Sequence, residues 1–338
     1  MNSFLIDVPV KTNIWIRPEC QRRQFKIIKN ARPSVLFVIS DGGRNEEEWT
    51  IIKKHRKMFD EEIDWNCSVY KLYESENRGM YEMIKKTHEL IWNKVDRCIF
   101  LEDDILPSLS FFKFCAELLE KYKDDTRISC ICGMNHLGIS EQVSSDYFFS
   151  RQGSIWGFAL WKRTVDEYSL DYKNDVYTMS ILMDLMNDNK TIKERAKGYA
   201  QSEVYEGHVA ADEFYIGSAA YLHHQLQIIP KKNLIMNIGC QTNAAHANNL
   251  ELLPRGIRRV FNMKVYDIDF PLKHPTFMIE DLEYERQRNK ILAYNKPFVK
   301  LWRKLETLFY NLRAGNFDIV LLKAKEYYYG YLGKYKEK

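Results

Sequence analysis

Five short apolar runs in the first 135 residues, separated by longer segments whose apolar positions recur at helical spacing, restrict this chain to helices wrapped around a parallel sheet. Strands are predicted at Lys11–Ile16, Ser34–Ser40, Ser68–Tyr73, Cys98–Leu101 and Ile128–Cys132. Helices are predicted from Arg17-Pro18 to about Asn30, over Glu46–Phe59 and Met80–Asn93, and from Pro107, with Ser108 as cap, to about Lys123. Cys98–Leu101 is apolar throughout and bounded by charge, as a strand buried on both faces should be.

Ligands of such sheets bind outside the carboxyl ends of the strands. Arg17, Asp41 and the triplet Glu102-Asp103-Asp104 are all expected at that edge. In RCIFLEDDILPS the three carboxylates follow a buried strand, where desolvation and mutual repulsion disfavour them unless cations or hydrogen-bond donors compensate. Mg²⁺ or Mn²⁺ held by one or two carboxylates completes its shell with water and substrate phosphates, so the triplet points to a phosphate ligand. A helix N-terminus alone is the structural alternative for paired acids.

The second half is less regular. Tyr147–Arg163 reads as a short aromatic strand, a glycine-containing turn and a helix start. Asp171–Lys197 reads as an exposed helix and loop with Met183 and Met186 on its buried side, and Ala210–Gln225 as a helix. Gln227–Pro230 and the start of Asn233–His246 read as strands. The chain divides into residues 1–135 and 136–270 of one domain and an extension, 271–338. From Lys296 onward ten Lys and Arg face four Asp and Glu, whereas the whole chain carries only +4, so the basic excess lies in the tail. Its aromatics, with that charge, suit either an anionic membrane face or packing on the domain or on a second copy. The core is not basic, which argues against nucleic acid. Seven scattered cysteines suit buried thiols, and the chain's start lacks the basic and apolar regions of a signal peptide. A cytoplasmic protein is expected, with the tail as any peripheral contact with the inner face of the membrane.

The pieces IWIRPE, PSVLFVISDGGR, ENRG, IFLEDDILPS followed by FF, ICGMNHLG, WGFALWKR, ADEFY and IIPKKNLIMNIGCQTNAAH stand in one order between Asn13 and His246. In that order they resemble the GT-A class of nucleotide-sugar glycosyltransferases, in particular inverting enzymes like N-acetylglucosaminyltransferase I and their bacterial relatives. The resemblance implies an α/β, Rossmann-like, mostly parallel sheet followed by a helical tail. It implies a Mn²⁺ (or Mg²⁺) cofactor, a UDP-sugar donor and a glycan, lipid-linked sugar or glycoprotein acceptor, with a hexosyl or N-acetylhexosaminyl group transferred.

Residue by residue, the resemblance implies donor contacts from Arg17, Asp41 and Gly42, with Asn77 in a turn that supports the pocket. Glu102 and Asp103 would face sugar and ribose, Asp104 would bind the metal, and Trp156 would form an aromatic floor. Asp212 would be the general base, with Glu213 its substitute one register on, and His246 would reach the metal or pyrophosphate. Structural alternatives are a turn-forming Asp41, a capping Asn77 and a satisfied His246. Ala211 stands where the family commonly has Trp, and 171–209 has no counterpart. Two other readings compete. A sugar-phosphate nucleotidyltransferase usually has a glycine-rich loop after the first strand, and this chain has IWIRPECQRR there. A non-catalytic sugar-nucleotide-binding or scaffold module would leave the retained acids unused.

Overall fold

The computed structural model describes residues 3, 5–168, 175–186, 193, 212–240, 250–318 and 321, with Asp212–Phe214 described by backbone alone. Strands β1 (Val10–Ile14), β2 (Val35–Ser40), β3 (Ser68–Tyr73) and β4 (Arg97–Leu101) form the parallel block β3-β2-β1-β4. The sheet continues through β8 (Phe158–Trp161), β6 (Ile128–Cys132), β9 (Leu226–Pro230) and β7 (Tyr147–Ser150), eight strands among the described residues. Only β8 and β7 run against the rest. A separate two-stranded ribbon pairs β5 (Ile105–Pro107) with β10 (Ile235–Asn237).

Helices α1 (Pro18–Ala31), α2 (Glu46–Glu61) and α4 (Leu109–Lys121) cover one face through Phe25, Ile28, Phe59, Phe111 and Leu118. Helix α3 (Met80–Trp92) and two later helices, α7 (Asp212–Leu222) and α9 (Leu282–Leu292), cover the other through Met83, Ile91, Ile216 and Tyr284. The α/β class, the mostly parallel sheet and the helical C-terminal region are as expected. Pro18 starts α1, where its missing N–H is not needed. Ser108 caps α4 by accepting from the Phe111 N–H. Met183 and Met186, in and just after α6 (Val176–Leu185), are buried as read, in a small cluster with Tyr221.

The helix start expected at the end of Tyr147–Arg163 is α5 (Lys162–Asp166), five residues long, but FALW ahead of it forms a strand, β8, that the reading of this segment does not include. All four β8 residues are buried, so they show no period that separates strand from helix, and the site between β4 and β6 decides. Residues beyond 270 also reach the sheet: the Asp281 N–H donates to the Phe149 carbonyl at 2.8 Å, and Tyr284 is fully buried against Phe148. All seven cysteines are free and, Cys67 apart, buried. Among the described residues no helix is long and apolar enough to cross a membrane.

Candidate functional site

Strand β1 lies between β2 and β4, so the chain ends after these strands converge on one edge. Lys11 and Asn13, two residues apart and therefore on one face of β1, both reach the acid that follows β4. Lys11 Nζ donates to Glu102 Oε1 at 3.0 Å and Asn13 Nδ2 to Oε2 at 2.6 Å. From the other face, Gln24 Nε2 donates to the carbonyls of Glu102 at 2.6 Å and Ile105 at 2.7 Å, and the Thr12 hydroxyl donates to Gln24 Oε1 at 2.6 Å. The acidic loop is therefore held at both of its backbone ends.

Arg17, just before α1, places one guanidinium nitrogen 2.6 Å from Asp103 Oδ2 and 3.3 Å from Asp104 Oδ2. Burial, the largest cause, pushes the Asp103 carboxyl up to about 7; Arg17 pulls it down, and Asp104 and Glu102 push it further up. Asp104 is likewise raised, first by burial, against Arg17 and with Glu102 adding. The loop thus remains short of positive charge even with Arg17 in place. Cys20 and Cys240 flank the same acids, and burial, reinforced by the acids' negative charge, pushes both thiols up, so they stay protonated.

The ribbon closes the site from below. Ile238 N donates to the Asp104 carbonyl at 3.0 Å, and Gly239 N donates to Asn237 Oδ1 at 2.8 Å. A Cβ at Gly239 would sit 2.1 Å from Asp104 Oδ2, so only glycine leaves the carboxylate its position. Gly157 has φ +63° and would drive a Cβ to 2.9 Å from the Ile235 side chain of the ribbon. That tight turn leaves Trp156 half-buried on Phe261, ring centroids 5.1 Å apart.

Asp41 organises a second loop. Its Oδ1 accepts from the Gly42 and Arg78 N–H groups at 2.8 Å each, and its Oδ2 from Gly79 N at 2.9 Å and Asn77 Nδ2 at 3.2 Å. Asn77 Nδ2 also donates to the Gly42 carbonyl at 2.8 Å, and a Cβ on Gly42 would strike the Glu76 backbone at 2.3 Å. DGG and ENRG are thus one interlocked unit at the ends of β2 and β3. Asp41→Ala should cost about 2–3 kcal/mol, since net bonds to a charged group contribute about 1.5–3 kcal/mol each and partial exposure weakens them. Urea unfolding measures it; a loss below about 0.5 kcal/mol would mean that the loop holds itself.

The structure thus brings Arg17, Asp103 and Asp104 into direct contact, holds Glu102 beside them on Lys11 and Asn13, ties Asp41, Gly42 and Asn77 into the neighbouring loop, and packs the turn after Trp156 on the ribbon. His246 lies outside the described residues, and Asp212 and Glu213 are described only as the backbone that opens α7. Lys11, Asn13, Gln24, Cys20 and Cys240 were not singled out from sequence. The signal for Lys11 was present: a lysine inside an otherwise core strand, which ends 5% exposed.

Among the described residues no three His, Cys, Asp or Glu side chains converge as a complete metal cage. The donors do fit a divalent cation held through one or two carboxylates with substrate oxygens completing its shell. Asp103 and Asp104 are hard oxygen donors short of positive charge, and Gly239 leaves the Asp104 carboxylate room.

No family model matches the sequence, and no curated protein matches it. Among solved structures, the chain is similar to a mannosyltransferase from Pyrobaculum calidifontis in complex with GDP-Man and Mn²⁺, at 10% identity over 65% of this chain and 72% of that one, TM-score 0.36. It is similar to mouse xyloside xylosyltransferase 1, apo form, at 12% identity over 66% and 84%, TM-score 0.32. It is also similar to a UDP-glucose pyrophosphorylase complexed with UDP-glucose, at 11% identity over 44% and 64%, TM-score 0.26.

Proposed function

We propose that this chain is a metal-dependent, inverting glycosyltransferase that moves a sugar from a UDP-sugar donor to a glycan, lipid-linked sugar or glycoprotein. The observation that carries the proposal is the cluster of Arg17, Asp103 and Asp104, half-buried and short of positive charge, at the carboxyl edge of the parallel strands. Raised carboxylates at a ligand-binding edge are the mark of a functional site, and a cation bridging to a diphosphate would satisfy them.

Asp104, with Asp103 beside it, would hold Mn²⁺ or Mg²⁺, which when bound would supply positive charge for the diphosphate leaving group. Arg17 fixes the carboxylates and adds a further positive group toward the phosphates. Glu102, anchored by Lys11 and Asn13 yet 43% exposed at its side chain, offers acceptor oxygens to sugar or ribose hydroxyls. The loop built on Asp41, Gly42 and Asn77 shapes the base end, and Trp156 gives the sugar an aromatic wall. Asp212, or Glu213 in its stead, takes the proton of the acceptor hydroxyl as that oxygen attacks the anomeric carbon opposite the leaving UDP.

A thermal-shift series with UDP and UDP-sugars, each with and without Mn²⁺, tests the reading. At ligand about 100 times Kd the expected stabilisation is about 2.7 kcal/mol, which raises Tm by several degrees only when Mn²⁺ is present. Asp104→Ala should remove the Mn²⁺ increment and keep a cooperative transition. An equal shift without metal, or a metal increment retained in Asp104→Ala, would overturn the assignment.

A further inference from the structure

The last described helix, α10 (Pro297–Arg313), is oriented opposite to a helix that packs on a core. Its polar side meets the protein: Arg303 donates to the Ile291 carbonyl, Asn311 is 5% exposed, and Tyr310 stacks under Arg258 with 5.2 Å from guanidinium carbon to ring centroid. Its apolar side faces out. Phe298 is 85% exposed, Trp302 64% and Phe309 59%, and Leu301, Leu305 and Leu312 complete the same stripe at spacings of three and four. Covering apolar side chains is the main stabilising term in folding, so an amphipathic helix turned this way has its partner surface outside the described residues.

Charge identifies the partner. Lys300, Lys304 and Arg313 are exposed on the same helix, and its single acid, Glu306, is half-buried. At the C-terminal end of α10, an open cavity of about 450 Å³ is lined by Arg255, Arg258 and Arg313 with Tyr310, against one acid, Glu251. Arg258 donates to the Glu251 and Leu253 carbonyls, which leaves Arg255 and Arg313 as the exposed cations at the cavity, and guanidinium groups suit phosphate oxygens. Two copies meeting through this face would bring like charges together, whereas an anionic bilayer offers both acyl chains for the stripe and phosphates for the arginines.

We propose that α10 and the arginine-lined cavity dock the protein on an anionic phospholipid bilayer. The helix lies in the interface plane with Phe298, Trp302 and Phe309 among the acyl chains, and the arginines hold headgroup phosphates. The surface is joined to the acid site by a short path. Arg258 stacks on Tyr310, Phe261 three residues later packs on Trp156, and Asn262 N donates to the Asn237 carbonyl at 2.9 Å. Docking needs no chemistry at Asp103 and Asp104, so it stands or falls separately from the transferase reading.

Co-sedimentation of the full chain tests it, with vesicles of pure phosphatidylcholine and of equal parts phosphatidylcholine and phosphatidylglycerol. Binding is expected only to the mixed vesicles, falling steeply toward molar salt as the screening length shrinks from about 10 Å at 0.1 M to about 3 Å at 1 M. Trp302→Glu with Phe309→Glu, and separately Arg255→Glu with Arg313→Glu, should each weaken binding at least about tenfold, with Tm unchanged because these side chains are exposed. Equal binding to both vesicle types, or to neither, overturns the proposal. So does a dimer in sedimentation velocity that Trp302→Glu with Phe309→Glu dissociates, since a second copy would then be the occupant.

Discussion

Arg17→Met should destabilise the metal-free protein by about 3–5 kcal/mol at pH 8, and by much less at pH 5. Arg17 touches two carboxylates whose side chains are 13% and 19% exposed, so methionine leaves buried charge without its partner. Arg17 lowers both aspartates, and its removal lets burial raise them further above the ordinary value of 3.8. A carboxyl whose folded pKa lies above its unfolded one binds its proton more tightly in the folded state. Its contribution is therefore fully present below the unfolded value and is lost as pH rises through the folded one. For Asp103 in the wild type that window runs from about 4 to about 7, and in the variant it extends higher. Urea unfolding of both proteins at pH 5 and pH 8 reads the difference directly. A loss of equal size at both pH values would mean that Arg17 acts through packing alone. Mn²⁺ should restore part of the loss, because a cation at Asp103 and Asp104 does the electrostatic work of the missing guanidinium.

What could be read in advance follows from which interactions are local. Strands β2, β4 and β6 announced themselves because a buried strand in such a sheet is apolar on both faces, with charge or Gly and Pro at the ends. The acid triplet was readable as an unanswered charge, and Arg17 as a residue of the same edge. Their contact spans 86 positions and depends on β1 pairing with β4, which no local pattern encodes. The Asp41 loop shows the same limit: DGG and ENRG each read as a turn, and only the fold makes one carboxylate serve both. Gly239 shows it more sharply, since its requirement comes from an Asp104 oxygen 135 residues earlier in the chain. For β8 the failure was one of degeneracy: FALW carries no period, so strand and helix were equally open until neighbours chose. In α10 the period was legible, but its orientation was not, because a stripe of Phe, Leu and Trp says that a face will be covered without saying by what.

Asp212→Asn should lower the rate of sugar transfer about 10³-fold, within the 10²–10⁴ that a positioned general base contributes, and leave UDP-sugar binding within about twofold. The topology carries the backbone of this position toward the acidic edge of the sheet. Helix α7 ends beside the amino end of β6, where Leu226 N donates to the Arg127 carbonyl at 2.8 Å and Gln225 Nε2 to the Thr126 carbonyl at 2.9 Å. From there its eleven residues extend about 16 Å back along the sheet face, the length of a five-residue strand, with Ile216 in the core between. The first residue of α7 therefore lies toward the carboxyl edge of β6, a strand parallel to β4 and its acidic loop. Asparagine keeps the size and hydrogen bonding of aspartate and loses only the capacity to accept a proton, so the variant separates chemistry from donor binding. If Glu213 is the base instead, Glu213→Gln carries the loss and Asp212→Asn does not. Transfer within a few-fold of wild type in both variants would remove the general base from this helix and with it the inverting mechanism drawn through it.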